Sequence, residues 1–465
     1  MTLWTAADAA AATGGTATSD WAATGLSIDT RTLAPGDLFV ALTAARDGHE
    51  FVADALAAGA AAALVSRVPD GIDAARCLVV PEVQTGLEAL GRAGRARTSA
   101  RVIAITGSVG KTSTKEMLRH ALARQGRVHA AVKSFNNHWG VPLTLAGCPA
   151  DADFAVIEIG MNHPGEIAPL AALAAPDVAM VTNVAPVHLE AFADGVPGIA
   201  REKAAIFGGL RPGGAAIWNA DLETSDILAR AGTVSFGWAG AADWRLIDAN
   251  PGPDGTACRA MTPLGEVLFR VGAPGAHFAL NALAVLAAIH EAGGDVALAA
   301  LSLADWTPPA GRGQRHALVL HPDEPQVDLI DDAYNANPAS VGAALDLLAA
   351  TPVPPRARRI AILGDMKELG PTGPDRHAAL ADHDGLAALD RIHTVGPLMR
   401  HLHDALPGDA RGRHVDTSDA LLRDLRDMVR PGDAVLVKGS LSMKMAKLVA
   451  GLRALGEADA STPKD

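Results

Sequence analysis

Residues 101–122 read RVIAITGSVGKTSTKEMLRHAL and contain the most informative local pattern of the chain. Its apolar, mostly β-branched beginning predicts a buried strand, and the amphipathic pattern after residue 110 predicts a helix. Two glycines between them permit a tight turn close to a polyphosphate, as in a shortened G-x-x-G-K-T form of the P-loop. Lys111 is positioned to reach the phosphates and Thr112 to offer its hydroxyl to Mg²⁺. The predicted ATP-binding loop comprises Gly107, Ser108, Gly110, Lys111, Thr112 and Ser113, and the alternative is a chance Gly-rich turn before a helix.

The composition predicts a globular protein of several domains. The chain has 465 residues, of which 49% are hydrophobic and 20% charged, and this length suggests two to four domains. The net charge of −12 argues against a nucleic-acid partner. Three widely spaced cysteines (Cys77, Cys148, Cys258) follow no metal-ligand pattern and predict buried thiols in a reducing compartment.

Neither a secretory signal nor a membrane span is expected from the sequence. The first 15 residues lack a basic segment and a sustained apolar run. The most apolar helical stretch, around residues 277–292, carries His277, Asn281 and His290 and falls short of a membrane span. We therefore expect a cytoplasmic protein without membrane contact.

Strand and helix signals alternate along the chain and predict its architecture. The runs VIAIT, FAVIEIG, VAMVTNV and AAIWNAD predict a doubly wound parallel sheet with its ligand at the carboxyl ends of the strands. Residues 244–271 instead predict a small antiparallel excursion. We interpret GRAGRARTSA (91–100) and TPPAGRGQRH (307–316) as linkers. We predict an α/β protein of three domains: an N-terminal domain (1–97), a central P-loop domain (98–310) and a Rossmann-like C-terminal domain (311–465).

Polar residues follow several predicted strands, where open α/β sheets bind their ligands. Glu158 lies in the apolar run FAVIEIG, and a carboxylate there suits a Mg²⁺ beside Thr112. His188 follows another strand, although a lone histidine is more often structural. Lys203 lies near the start of a predicted helix, where an ordinary solvated lysine is the simpler interpretation.

Further candidates lie beyond these strands, and each has a structural alternative. Asn281 on an apolar helix face contacts a base or bonds backbone, and Arg312 between two glycines reaches a γ-phosphate or is surface charge. In DLIDDAYNANPASV (328–341), Asp332 suits ribose hydroxyls and Tyr334 a base, yet the stretch also fits a capped βα turn. In SIDTRTLAPGDLFVAL (27–42), Thr30 and Arg31 form a weak candidate for a diphosphate site.

Together these motifs resemble the Mur ligases, the ATP-dependent amino-acid-adding enzymes of peptidoglycan precursor synthesis. The resemblance covers almost the whole chain through TGSVGKTS, EIGMNHPGEI, NVAPVHLEAF, REKAAIF, GRGQ and LVKGS. DTRTLAPGDLFVAL with RDGHEF resembles the UDP-binding domain that two branches share. FNNHWGVPLTL, DDAYNANPAS and LGDMKELG resemble the branch that adds D-alanyl-D-alanine.

The resemblance implies a complete reaction and a set of roles. ATP phosphorylates the carboxylate of UDP-N-acetylmuramoyl-tripeptide, the amine of D-alanyl-D-alanine attacks the acyl phosphate, and ADP and phosphate are released. Lys111, Glu158, His188 and Lys203 are the implied catalytic residues. The implied metal sites are one Mg²⁺ at Thr112 and Glu158 and a second at Glu158, His188 and a carbamylated Lys203. The implied ATP contacts are Asn281, Arg312 and Asp332, the peptide contacts are Asn137, Tyr334, Asn335 and Asn337, and the uridine diphosphate contacts are Thr30 and Arg31. We expect a monomer.

The sequence departs from the family pattern after LVKGS and, slightly, in the REK context of Lys203. After LVKGS we expect an arginine and then a Met-Glu pair, but the chain reads LSMKMAK, in which Lys444 is the candidate substitute. A folylpolyglutamate synthase would lack the N-terminal UDP-binding domain, and a GTPase switch would carry an N-K-x-D motif that does not occur here. The sequence leaves open whether the third residue of the tripeptide is meso-diaminopimelate or lysine.

Overall fold

The computed structural model describes residues 2–131 and 133–460, with side chains described up to residue 456. In these ranges the chain forms a five-stranded, a nine-stranded and a six-stranded sheet, together with a two-stranded ribbon. Most neighbouring strands in the three large sheets run parallel, and helices connect them. The predicted α/β class is therefore confirmed.

The N-terminal part of the chain builds the five-stranded sheet, in the order β2-β7-β6-β5-β4. The strands of this sheet are β2 (Thr16–Ala17), β4 (Gly25–Ser27), β5 (Asp37–Val40), β6 (Ala62–Val65) and β7 (Cys77–Val79). The two-stranded ribbon consists of β1 (Trp4–Thr5) and β3 (Ala22–Ala23). The helices of this part are α1 (Ala6–Thr13), α2 (Val52–Ala57) and α3 (Val83–Arg97). Strands β4 to β7 are parallel, whereas β2 pairs antiparallel with β7 and β1 with β3. The apolar runs DLFVAL, AAALVS and CLVV contain β5, β6 and β7.

The middle part of the chain builds the nine-stranded sheet around the P-loop strand. Its strands are β8 (Arg101–Thr106), β9 (Val128–Ala130), β10 (Phe154–Glu158), β11 (Val178–Val181), β12 (Ala215–Asn219), β13 (Val234–Gly237), β14 (Trp244–Gly252), β15 (Gly255–Thr262) and β16 (Gly265–Val271). Its helices are α4 (Lys111–Leu122), α5 (Gly140–Ala146), α6 (Ile167–Ala174), α7 (Val196–Ala204), α8 (Ser225–Ala229), α9 (Ala276–Glu291) and α10 (Val296–Leu303). The order is β16-β15-β14-β13-β12-β11-β8-β10-β9.

The predicted antiparallel excursion is confirmed as β14, β15 and β16. It extends the main sheet, since β14 also pairs parallel with β13. Side chains of β8 alternate between the two faces: Ile103 and Ile105 pack under α4 and α9, and Val102 and Ala104 pack on the opposite side. Burial of both faces explains why residues 102–105 of this strand are all apolar.

The stretch GRAGRARTSA was predicted to be a linker, and this prediction was wrong. Helix α3 continues through it to Arg97. Its glycines mark a close contact with α5, because a Cβ at Gly94 would lie 2.2 Å from Leu145 O and one at Gly91 would lie 2.9 Å from Pro142 Cα. Small residues that permit helix packing therefore gave the polar, aperiodic appearance of a linker.

The C-terminal part builds the six-stranded sheet, in the order β17-β18-β22-β19-β20-β21. Its strands are β17 (Gln314–Leu318), β18 (Val327–Asp332), β19 (Arg359–Gly364), β20 (Arg391–Val395), β21 (Arg411–Val415) and β22 (Ala434–Lys438), and its helices are α11 (Pro338–Ala350), α12 (Gly373–Ala378), α13 (Met399–Ala405), α14 (Ser418–Leu421), α15 (Leu425–Met428) and α16 (Ala446–Ala460). Only β17, at the edge, is antiparallel to its neighbour. The stretch 307–313 before β17 has neither helix nor strand, and the domain boundaries at 97/98 and 310/311 stay a prediction.

The cysteines and the lengths of the helices test two further predictions. Cys77, Cys148 and Cys258 are free and buried, as predicted. No helix in residues 2–131 and 133–460 has both the length and the apolar character that crossing a bilayer requires.

Candidate active site

Six parallel strands from two sheets end at one cavity of about 390 Å³. Residues at or just beyond the ends of β8, β10, β11, β12, β18 and β22 line it. Carboxyl ends of parallel strands are where open α/β sheets bind ligands. The predicted site residues that line this cavity are Ser108, Gly110, Lys111, Thr112, Ser113, Glu158, Asn281, Arg312, Asp332, Tyr334, Asn335 and Asn337.

The P-loop forms the floor of the cavity and opens helix α4. Gly110 has a left-handed φ of 85° and caps α4, so the first backbone N–H groups of the helix face the cavity. A Cβ at Gly107 would lie 2.0 Å from Thr182 Oγ1, which only glycine avoids. Lys111 Nζ donates to Gly107 O at 2.6 Å, and burial lowers the pKa of Lys111. The loop thus gathers amide donors and one lysine, the groups that bind a polyphosphate.

A chain of hydrogen bonds links the P-loop to Glu158. Thr112 Oγ1 donates to Glu158 Oε2 at 2.9 Å and lies 3.0 Å from Ser134 Oγ. Asn136 Nδ2 donates to Glu158 Oε1 at 2.8 Å, so both carboxylate oxygens have partners. The side chain of Glu158 is almost fully buried, because the residue ends a central strand.

These oxygen atoms fit a Mg²⁺ ion that shares its ligands with a phosphate. Mg²⁺ in nucleotide sites takes one or two carboxylates and completes its shell with phosphate oxygens and water. Thr112 Oγ1 and Glu158 Oε2 are such hard donors, and they are 2.9 Å apart beside the phosphate-binding loop. Within residues 2–131 and 133–460, no group of three or more His, Cys, Asp or Glu side chains could hold a metal alone. A nucleotide would therefore have to supply part of the coordination.

The C-terminal sheet contributes a buried ion pair to the same cavity. Lys438 Nζ donates to Asp332 Oδ2 at 2.6 Å and to Asn335 O at 2.9 Å. Burial raises the pKa of Asp332, and the attraction of Lys438 opposes that rise. Asp332 therefore presents an oriented acceptor at the end of β18, which suits a ribose hydroxyl donor.

Arg312 connects the two sides of the cavity. Its Nη2 donates to Ser134 Oγ at 3.0 Å, and its Cζ lies 4.1 Å from the centre of the Tyr334 ring. Gly311 and Gly313 beside it have φ values of 75° and 92°. Asp331 holds this turn, because its Oδ2 accepts from Gly311 N at 2.9 Å. The cation is thus fixed over the P-loop side of the cavity.

Three asparagines predicted to contact the peptide have structural hydrogen bonds. Asn337 caps α11 through a reciprocal pair with Ser340. Asn335 Oδ1 accepts from Ala336 N at 2.9 Å, although the residue lines the cavity. Asn137 lies outside the cavity lining, and its Oδ1 accepts from Gly140 N at 2.9 Å at the start of α5. Their peptide contacts stay predictions.

His188 and Lys203 do not line the cavity. His188 has a left-handed φ of 53°, and its Nδ1 lies 2.8 Å from Glu368 Oε2 in the LGDMKELG loop. The side chain of Lys203 is buried, with 2% of the residue exposed. Burial, together with repulsion from Lys111, lowers the pKa of Lys203 well below its ordinary value. A buried amine whose charged form is disfavoured is the observation that bears on the predicted carbamylation of Lys203.

A second cavity of about 670 Å³ lies beside the N-terminal sheet and contains Thr30 and Arg31. Arg31 is well exposed and pairs with Asp29 at 2.7 Å, and this contact holds the pKa of Asp29 at about 2. Arg46 and Lys133 add two further cations to the wall. With Asp29 and Asp54 as the two carboxylates of the lining, one positive charge is in excess, which suits an anionic ligand such as a diphosphate.

Sequence reasoning missed several residues of the first cavity, four of which matter for its chemistry. Lys438, Ser134, Asn136 and His277 line it, and none was assigned a role. Lys438 was detectable in principle, since it ends the apolar run AVLVK. Lys444, the suggested substitute for a missing arginine, is not among the lining residues. Burial and Lys438 hold the pKa of His277 at about 4, so this ring is neutral at physiological pH.

Comparison with known proteins identifies relatives along the whole chain. Residues 105–289 match the Mur ligase middle domain, and residues 315–441 match the domain described as Mur ligase, glutamate ligase domain. The UDP-N-acetylmuramoyl-tripeptide–D-alanyl-D-alanine ligase of Escherichia coli is 36% identical over 92% of this chain and 93% of its own. Among solved structures, MurF from Acinetobacter baumannii is 29% identical with a TM-score of 0.83, covering 97% of this chain and 99% of that one. MurF from Thermotoga maritima, solved in complex with ADP, is 26% identical with a TM-score of 0.77, covering 93% and 98%.

Proposed function

The chain belongs to the Mur ligase family, and on that premise we propose that it joins D-alanyl-D-alanine to UDP-N-acetylmuramoyl-tripeptide at the expense of ATP, in peptidoglycan precursor synthesis. The observation that carries the proposal is the shared cavity, where the P-loop and Glu158 of one sheet face Asp332 and Lys438 of another. The identity of 36% to the Escherichia coli ligase supports the substrate pair.

The reaction converts a poor electrophile into a good one. The γ-phosphoryl group of ATP passes to a carboxylate oxygen of the tripeptide, which turns that oxygen into a leaving group. The amine of D-alanyl-D-alanine then attacks the acyl carbon, the amide bond forms, and phosphate and a proton leave. Catalysis of such steps depends mainly on positioning and on neutralising the charge that develops.

The residues of the cavity suit these tasks. Lys111 and the amides at the start of α4 would bind the phosphates, and Arg312 would contact the γ-phosphate. Asp332 would accept a hydrogen bond from the ribose, and Asn281, which stands against Gly110, would contact the nucleotide. Thr112 and Glu158 would hold a Mg²⁺ ion, which supplies positive charge at the phosphate oxygens.

Lys203 would act after a covalent change. Its neutral amine would attack CO₂ to give a carbamate and release one proton, which converts a buried neutral group into an anion. The depressed pKa of Lys203 supports this step, because only the unprotonated amine is a nucleophile. With His188 and Glu158, the carbamate would complete a second Mg²⁺ site.

The second cavity would hold the uridine diphosphate end of the acceptor through Thr30 and Arg31. Asn137, Tyr334, Asn335 and Asn337 are proposed to act on the peptide side. We further propose that the chain acts as a cytoplasmic monomer and binds neither nucleic acid nor membrane.

The proposal is tested by phosphate release from ATP and Mg²⁺ with UDP-N-acetylmuramoyl-tripeptide, with and without D-alanyl-D-alanine. We expect release to require both substrates and the pentapeptide product to appear by mass spectrometry. Lys111→Met should abolish release, whereas Lys447→Met, which alters an exposed lysine paired with Asp419, should leave it unchanged. Release that ignores the dipeptide would indicate a nucleotide switch, and release with a folate and glutamate would indicate a folylpolyglutamate synthase.

A further inference from the structure

One short segment, residues 133–139 between β9 and α5, forms a wall of both cavities. Ser134 and Asn136 line the cavity that contains the P-loop. Lys133, Phe135 and Trp139 line the cavity that contains Thr30 and Arg31. Successive residues from 133 to 136 thus line alternate cavities, so the conformation of the segment determines the shape of both.

The segment is tied to each side. Ser134 and Asn136 reach the P-loop network through Thr112 and Glu158. Phe135 packs on the hydrophobic core of the N-terminal sheet. Gln84 Nε2 of α3 donates to His138 O at 2.8 Å.

The beginning of the segment is held by a lysine of the P-loop helix that touches neither cavity. Lys115 is fully buried, and its Nζ donates to Ala131 O at 2.6 Å and to Lys133 O at 3.2 Å. It also pairs with Glu116 at 2.8 Å. Burying an ammonium group costs free energy, which its ion pair and hydrogen bonds must offset. The two backbone carbonyls that Lys115 binds therefore indicate a structural role at the beginning of the segment.

We propose that Lys115 is a positioning residue that fixes the 133–139 segment from the P-loop helix, so that the nucleotide cavity and the N-terminal cavity are both preformed. The inference rests on the proposed function only in the choice of the second ligand. If each ligand binds only the ordered segment, loss of the anchor weakens both ligands by the same factor. Whichever ligand binds first then orders the segment for the other, and this coupling is reciprocal.

The test measures binding of a non-hydrolysable ATP analogue with Mg²⁺, and of UDP-N-acetylmuramoyl-tripeptide, by calorimetry. In Lys115→Met, which retains the buried aliphatic stem, we expect each Kd alone to rise about tenfold, equivalent to about 1.4 kcal/mol. Saturation with either ligand should return the Kd of the other to the wild-type value. Glu116→Gln, which removes the ion pair but neither carbonyl contact, should bind as the wild type does. Lys115→Gln, which keeps a donor, should show the same pattern with smaller changes and serves if the methionine variant does not fold.

A variant that is partly unfolded would show the same restoration, because either ligand also favours the folded state. The unfolded fraction of Lys115→Met without ligand is therefore measured by circular dichroism at the assay temperature, and a fully folded variant assigns the restoration to the segment. A change confined to the nucleotide Kd, equal weakening without restoration, or no change in either Kd would overturn the inference. A wild-type protein that does not bind the UDP compound would refute the proposed function instead. In that case hydrogen exchange of residues 133–139 in Lys115→Met decides the inference: protection by the ATP analogue alone supports it, and exchange indifferent to the analogue overturns it.

Discussion

Replacing Lys438 by methionine should destabilise the C-terminal sheet and weaken nucleotide binding, because it leaves the Asp332 carboxylate without its partner. The side chain of Lys438 is 3% exposed and that of Asp332 is 21% exposed, with 2.6 Å between Nζ and Oδ2. Removing one member of a buried pair costs about 3–5 kcal/mol. Because water reaches part of Asp332, we expect Lys438→Met to lower the opening free energy of the sheet by about 2–3 kcal/mol. The double variant Lys438→Met with Asp332→Asn carries no unpaired charge and should lose only about 1 kcal/mol.

The same change has a pH dependence with a definite sign. Burial already raises the pKa of Asp332, and loss of Lys438 would raise it further. A carboxyl whose folded pKa exceeds its unfolded pKa favours the folded state at low pH and loses this contribution as the pH rises through the folded pKa. The cost of Lys438→Met should therefore be largest near neutral pH and decrease toward pH 4.

Hydrogen exchange of the β18 and β22 amides provides the opening free energy of this sheet without requiring the whole chain to unfold at once. The four proteins of the double-mutant cycle would be compared at pH 7 and at pH 5. The reasoning would be refuted if Lys438→Met lowered the opening free energy by less than about 0.5 kcal/mol, which is the range of ordinary surface substitutions. So would a double variant as unstable as the single one, since the cost would then not arise from the unpaired carboxylate.

Three further outcomes are expected. Glu158→Gln should lower ATP turnover at least about 100-fold with little change in melting temperature, because the amide keeps the shape but not the charge; phosphate release and calorimetry measure the two effects. Lys203→Met should abolish ligation yet raise the melting temperature, because a folded pKa below the unfolded value means that protonation at neutral pH opposes folding. Gly94→Ala should cost about 1–3 kcal/mol by urea unfolding, since its Cβ would meet Leu145 O. Gly208→Ala, where a Cβ would meet nothing within 4 Å, is its control.

The nucleotide half of the site could be predicted because its signals are local. Lys111 and Thr112 follow directly from the strand, turn and helix pattern of residues 101–122. Glu158 could be predicted because exposure to solvent does not explain a carboxylate within the apolar run VIEI. Both inferences use neighbours in sequence, and parallel strands bring their carboxyl ends to one edge without further information.

The features that could not be predicted depend on contacts between residues that are distant in sequence. The Lys438 and Asp332 pair spans 106 residues, and nothing near Lys438 in the sequence indicates its partner. Gly94 looked like part of a linker because its contact with Leu145 on α5 lies 51 positions away. Asn137 and Asn337 show the opposite difficulty, because asparagine serves equally as a helix cap and as a ligand contact.

The arrangement of charge explains why two sheets are needed for one cavity. The middle sheet contributes Lys111 and Glu158, and the C-terminal sheet contributes Asp332 and Lys438, so each side brings one cation and one anion. Arg312 is the surplus cation, and it lies in the segment that joins the two sheets, in contact with Ser134 on one side and Tyr334 on the other. On the proposed function, ATP at the P-loop would place negative charge beside this arginine, and Asp332 of the other sheet would accept from the ribose. Neither sheet alone would then contact the whole nucleotide.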